Sequence, residues 1–232
     1  MSVRKLRDAL VLMGAFVALL WVLQAFNWAD GYRLDADFGI LPHNVSRLPE
    51  IFTAPFLHVS WQHIEGNTVP LFVLGVLAAY RGIKKFLLVT LIVAVASGLA
   101  VWLFQGGSEL TVGASGLIFG YFGYVVVRGF FDRNLLDIGV GIVAGLLYWT
   151  ILQVAIPGTP GVSWIGHLGG LFGGVLAAWL LRERTALGAT SPRPPLAAPP
   201  ARTAPPRTAP AEKHPGSRAA ADLLRELEEK GI

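Results

Sequence analysis

Residues 163–181 read Ser-Trp-Ile-Gly-His-Leu-Gly-Gly-Leu-Phe-Gly-Gly-Val-Leu-Ala-Ala-Trp-Leu-Leu, a run in which the only ionisable side chain is one histidine, His167. A helix needs about 20 mostly apolar residues to cross the hydrocarbon of a bilayer, so this segment is close to the minimum spanning length. Gly166, Gly170 and Gly174 recur every four residues and share one helical face. Glycine at that interval lets a second helix approach to backbone contact. An imidazole inside such a segment is costly unless it is paired or functional. The stretch therefore reads as a membrane helix that packs tightly on a neighbour and carries a polar group inward.

Comparable runs precede it at residues 10–28, 61–79, 86–104, 115–131 and 135–154. With 53% hydrophobic and 15% charged residues and a mean hydropathy of +0.56, the chain holds more apolar surface than one water-soluble core can hide. The expected fold is all-α, a polytopic membrane bundle of six transmembrane helices over residues 1–186. Residues 187–218 are rich in Pro and Ala and form an expected disordered linker. Residues 219–232, with Leu223, Leu224 and Leu227 among charges, allow a short amphipathic helix. The first span has a basic start like a signal peptide, but its long apolar run and lack of a small-residue cleavage site predict that it is retained.

Cysteine is absent, which removes disulfides, thiolate metal sites and cysteine nucleophiles. The formal charge of +4 comes from short clusters that flank the apolar runs, and from the tail, so no nucleic acid partner is expected. Those clusters are Arg4, Lys5 and Arg7; Arg81, Lys84 and Lys85; Arg128 and Arg133; and Arg182 and Arg184. Positive residues favour the cytoplasmic side. Both termini are accordingly expected inside, with residues 30–60, 105–114 and 155–162 outside. The first of these outer segments is apolar enough, with Phe52, Phe56 and Trp61, to lie partly in the membrane interface.

In this arrangement the second, fourth and sixth spans all run inward from the outer face, and each carries polar groups near its start. His63 and Asn67 are four apart and share a face, whereas Glu65 points nearly opposite. Ser115 follows Gly113-Ala114 and stands at a helix N-terminus, where free N–H groups and the helix dipole favour the negative charge of an attacked carbonyl. Gly116 and Gly120 repeat the four-residue spacing of the sixth span, which makes these two helices natural partners. Close contact would bring His167 within hydrogen-bond reach of Ser115. A neutral imidazole, with an ordinary pKa of about 6.5, can take the serine proton. Ser115 N–H, His63 and Asn67 are candidate donors to the oxyanion. Taken one at a time, a lone serine reads as a cap or packing residue and a lone histidine as a structural one.

The set His58 to Asn67 (HVSWQHIEGN), Gly113 to Gly116 (GASG) and Gly166 to Gly170 (GHLGG), in this order and at six-span spacing, resembles the rhomboid intramembrane serine proteases. The resemblance implies Ser115 as nucleophile, His167 as general base, and His63 and Asn67 as oxyanion helpers. It assigns His58 to a structural place in the outer loop and Gly170 to helix packing. It implies that the substrates are transmembrane proteins cut near the outer end of a segment, with no cofactor and no metal, and that the bilayer surrounding the enzyme is a bacterial plasma membrane. The chain departs from the family at Pro49-Glu50, where Trp-Arg is common, at Phe119, where several members have a tyrosine stacked on the histidine, and at Gly166, where alanine is usual. Neither HExxH nor a pair of membrane aspartates is present, so metallo- and aspartyl-type intramembrane proteases are excluded. The competing reading is a rhomboid-like pseudoenzyme that binds or chaperones membrane segments, against which stands the retention of both Ser115 and His167.

Overall fold

Among the described residues every regular element is helical, and the only β pairing is one isolated antiparallel bridge between Ile40 and Thr111. A computed structural model describes residues 3–158, 161–183 and 216–231. In chain order the helices are α1 (Val3–Ala29), α2 (Arg33–Phe38), α3 (Trp61–Ala79), α4 (Ile83–Phe104), α5 (Ser115–Asp132), α6 (Leu135–Tyr148), α7 (Trp164–Leu180) and α8 (Gly216–Glu229). Short 3-10 turns occupy Val45–Ile51, Ala54–Phe56 and Trp149–Ala155. The chain divides into a unit over Met1–Leu187, which holds α1 to α7, and a second over Gly188–Ile232, which holds α8.

Three helical stretches, Val3–Ala29, Ile83–Phe104 and Leu135–Gln153, are long and apolar enough to cross a membrane, and Trp164–Leu180 is a shorter apolar helix. Helices α3 and α5 fall short of that measure for a chemical reason. The first contains His63, Glu65 and Asn67, and the second ends in Arg128 and Asp132. The helices that carry polar groups are therefore the ones hydropathy singles out least.

Helix α5 is the centre of the bundle, buried along most of its length and in its most extensive contacts with α7. Gly170 lies against the carbonyl of Gly116 and Gly174 against that of Gly120, so a Cβ at either position of α7 would overlap α5 backbone. The space left by Gly116 and Gly120 themselves opens toward α4, where it is filled by Ser97 and Val93. Gly166 likewise faces Val101 of α4. The glycine repeat expected to zip two helices together thus serves three, with α7 wedged between α4 and α5.

The end of the bundle away from the starts of α3, α5 and α7 is closed by charge. Arg81 pairs with Asp132 at 3.0 Å, with Asp137 and with Glu183, and Lys85 reaches Glu183 at 2.6 Å. The buried Arg128 donates to the Leu77 carbonyl at 2.6 Å and to Asp137 at 3.2 Å. Arg81, Lys85 and Arg128, expected only as flanking charges, are also the cross-links of this end. Lys85 and Arg81 hold the Glu183 carboxyl below its ordinary range, the Lys85 hydrogen bond most of all.

Residues 30–60 fold back over the opposite end. Ile40, Ile51 and Ala54 form a small core with Val101, and Trp102 Nε1 donates to the Asn44 carbonyl at 2.9 Å. Glu50, one of the departures from the family pattern, pairs with Arg47 at 3.0 Å, while the same guanidinium donates to the Ala36 and Gly39 carbonyls. Phe38, Val45, Phe52 and Val59 remain exposed on this segment.

In the second unit, α8 begins at Gly216, three residues before the expected start at 219, and its Leu223, Leu224 and Leu227 are exposed. The expected linker lies outside the described residues except for 216–218, which are helical.

Candidate active site

Ser115 is the first residue of α5, and the turn before it accounts for its position. Gly113 has φ +127, a conformation rare for L side chains, and a Cβ there would come within 2.6 Å of the His63 ring. Ala114 follows and donates its N–H to His58 Nε2 at 3.5 Å. The N–H groups of the first turn of α5 have no acceptor within the helix and point into the space above it.

His167 lies one turn into α7, whose start is capped by Ser163 accepting from Gly166 N–H at 3.1 Å. Its Nε2 is 2.8 Å from Ser115 Oγ. The ring stacks on Phe119 with centroids 4.2 Å apart and planes within 10°. Phe119 is one turn beyond Ser115 on α5, so the same helix presents the hydroxyl and the surface that orients the imidazole. The buried ring, 4% exposed, has little room to turn away.

His63 and Asn67 stand side by side on α3 and face the same cavity as the dyad, which has a volume of about 620 Å³. Asn67 Nδ2 is buried with no hydrogen-bond partner among the described residues, which leaves a donor aimed at nothing in the resting chain. His58 lies behind His63, their rings edge to face at 5.0 Å. Burial, and then its neighbour His63, pushes the His58 pKa down to about 3, so it stays neutral. Glu65 is exposed and does not line the cavity.

Several supporting residues carry no pattern of their own in the sequence. Ser97 of α4 donates to the Gly166 carbonyl at 2.7 Å, bracing the first turn of α7. Gln105 Nε2 donates to Thr111 Oγ1 at 2.7 Å, and Ser163 Oγ donates to Gln105 Oε1, which ties the loop before Ser115 to the start of α7. Gly169 and Gly173 press on Ala96, Ala100 and Val93 of α4. A polar residue within an apolar span was the one available signal, and Ser97 has it. At Gly166 a Cβ would come within 2.9 Å of Val101 Cγ2, so the glycine here is fitted to the valine opposite.

The arrangement joins a serine hydroxyl, an imidazole in contact with it, polar side chains nearby and a cavity of about 620 Å³ that they share. A family model described as the Rhomboid domain matches residues 45–184. The chain is 40% identical over 196 residues to an uncharacterized protein of Mycobacterium tuberculosis, covering 78% of this chain and 81% of that one. An uncharacterized protein of Mycobacterium leprae is 38% identical over 193 residues, covering 77% and 76%. Rhomboid-like protein 11, chloroplastic, of Arabidopsis thaliana is 30% identical over 156 residues, covering 62% of this chain and 56% of the relative.

Proposed function

This chain belongs to the rhomboid family and is an integral membrane protein, and on that premise we propose that it is a serine endopeptidase that cuts transmembrane segments of other membrane proteins. The observation that carries the reading is the 2.8 Å separation of Ser115 Oγ and His167 Nε2, with the imidazole held against Phe119. A nucleophile in contact with an oriented base is the minimum for acyl transfer.

The steps follow from the positions. Ser115 Oγ attacks the substrate carbonyl as its proton passes to His167 Nε2, and the carbonyl π electrons move to oxygen. The resulting oxyanion is met by the first-turn N–H groups of α5, by the unpartnered Asn67 Nδ2 and by His63, donors that are in place before the reaction. Collapse breaks the C–N bond, and His167 returns its proton to the departing amine. Water, deprotonated by the same imidazole, then releases the acyl group from Ser115 as a carboxylate.

In this reading all six apolar helices, α1 and α3 to α7, cross the bilayer. The ion-paired end, with Arg4, Lys5, Arg81, Lys84, Lys85 and Arg182, faces the cytoplasm together with both termini, and the dyad opens near the outer surface. The mycobacterial relatives favour a bacterial plasma membrane. A serine-reactive phosphonate applied to the chain in membranes tests the proposal. Wild type is expected to be labelled, and Ser115→Ala and His167→Ala are expected to accumulate normally, escape labelling and lose cleavage by about 10⁴-fold or more. Equal labelling of wild type and Ser115→Ala, or none of either, is the result expected of a non-catalytic binding protein and overturns the reading.

A further inference from the structure

Resting on the protease reading, we infer that Glu109 selects substrates, favouring transmembrane segments that carry a lysine or arginine in the outer stretch beside the scissile bond. Glu109 lines the cavity that holds Ser115 and His167, and apart from the two histidines every other side chain on that lining is uncharged. Among the described residues the site therefore has one fixed charge, and it is negative.

That carboxylate is free to take a partner. Glu109 has neither an ion pair nor a hydrogen bond among the described residues, whereas Glu50 is held by Arg47 and Asp35 accepts from Asn27. Asp30, Asp37 and Glu65 are unpaired as well, but none of them lines the cavity. Glu109 is exposed, so it is reachable from water and from a substrate entering on that side.

The loop that bears it is pinned on both sides. Thr111 exchanges backbone hydrogen bonds with Ile40, both at 3.0 Å, and accepts from Gln105, which in turn is held by Ser163 at the start of α7. A carboxylate on a tethered loop loses less conformational freedom on binding than one on a free loop. Around it, residues 30–65 and 105–114 carry six carboxylates against Arg33 and Arg47, although the whole chain is net basic. The field at this end attracts cations.

The consequence for selection is a bias among substrates. Most transmembrane segments keep their Lys and Arg on the cytoplasmic side. A preference for one on the outer side ranks the minority of segments that carry it above otherwise similar ones.

The test uses the full chain in liposomes and one transmembrane substrate made with Lys, Gln or Glu at successive positions on its outer flank. At one or two positions Lys is expected to raise kcat/KM about two- to fivefold over Gln, the size of one partly exposed ion pair, and Glu to lower it. Raising the salt to about 1 M, where the screening length falls to about 3 Å, is expected to shrink the preference. In Glu109→Gln the Lys-to-Gln ratio should fall to about one, in Glu109→Lys it should invert, and in Glu109→Asp it should survive. Absence of a Lys preference in wild type, or its persistence in Glu109→Gln, overturns the assignment and leaves the protease reading intact. Failure of the phosphonate to label wild type removes both.

Discussion

The backbone of Gly170 rests on the carbonyl of Gly116, with no room for a Cβ between them. Gly116 follows Ser115 directly and Gly170 is one turn from His167, so this contact sets how near the Ser115 and His167 side chains come. The 2.8 Å approach of Oγ and Nε2 is thus a property of helix packing, repeated one turn on by Gly174 and Gly120.

A side chain at Gly170 should consequently disable the site without touching it. Gly170→Val is expected to force α5 and α7 apart, to cost about 1–3 kcal/mol of stability, and to slow phosphonate labelling by about 100-fold. The rate of labelling per folded molecule is the measurement. Labelling at the wild-type rate would show that the dyad does not depend on this contact.

Asn67 offers the opposite signature. Its Nδ2 is buried without a partner among the described residues, so the folded resting chain gains no hydrogen bond from it there. Asn67→Ala is expected to lower kcat by about 10²–10³-fold with KM little changed, and to leave the thermal midpoint equal or higher. A loss of stability with kcat preserved would assign the residue to the framework instead.

Acid should loosen the fold through His58. Its pKa is about 3 in the folded chain and 6.5 when exposed, so between those values the unfolded chain binds a proton that the folded one refuses. Stability is then complete above pH 6.5 and falls with acid, at up to about 1.4 kcal/mol per pH unit from this group. The thermal midpoint in detergent is expected to drop between pH 7 and pH 5. His58→Gln, whose amide oxygen can still accept the Ala114 N–H, is expected to flatten that slope. An identical slope in the variant would move the effect to other groups.

At the other end, the buried Arg128 donates to the Leu77 carbonyl and to Asp137 and lies over the Tyr124 ring. Arg128→Met is expected to destabilise by about 1–3 kcal/mol, because the Leu77 carbonyl loses its donor and Asp137 keeps only Arg81. Arg128→Met combined with Asp137→Leu should recover much of the loss, as judged by denaturant or thermal midpoints. Ser115 is thirteen residues away along α5, about 20 Å, so labelling per folded molecule should not change.

Hydropathy marks α1, α4 and α6 most clearly, because a long window of apolar residues is legible in almost any order, and it marks α3 and α5 less sharply because polar and charged side chains interrupt them. The register of the key residues was readable for a similar reason. His63 and Asn67 share a face through a four-residue spacing, and Ser115 heads its helix because glycines precede it. The assignment of Arg81, Lys85 and Arg128 as mere flanking charges missed their pairing. Arg81 and Lys85 find Asp132, Asp137 and Glu183 about 50 to 100 residues away in sequence, a distance no local pattern reports, while Arg128 reaches back to the Leu77 carbonyl and across the α5–α6 turn to Asp137.

Helical character, the four-residue glycine spacing and the polar side chains proposed as the reactive ones are written in the linear chain, since each depends on neighbours within a turn or two. Which helix faces which, and at what rotation, emerged from packing. The spaces beside Gly116 and Gly120 went to Ser97 and Val93 of α4, the backbone of α5 went to Gly170 and Gly174, and Phe119 came to lie flat on His167. Those outcomes depend on the volumes of many side chains meeting at once in a close-packed interior, and that sum exists only after the helices have assembled.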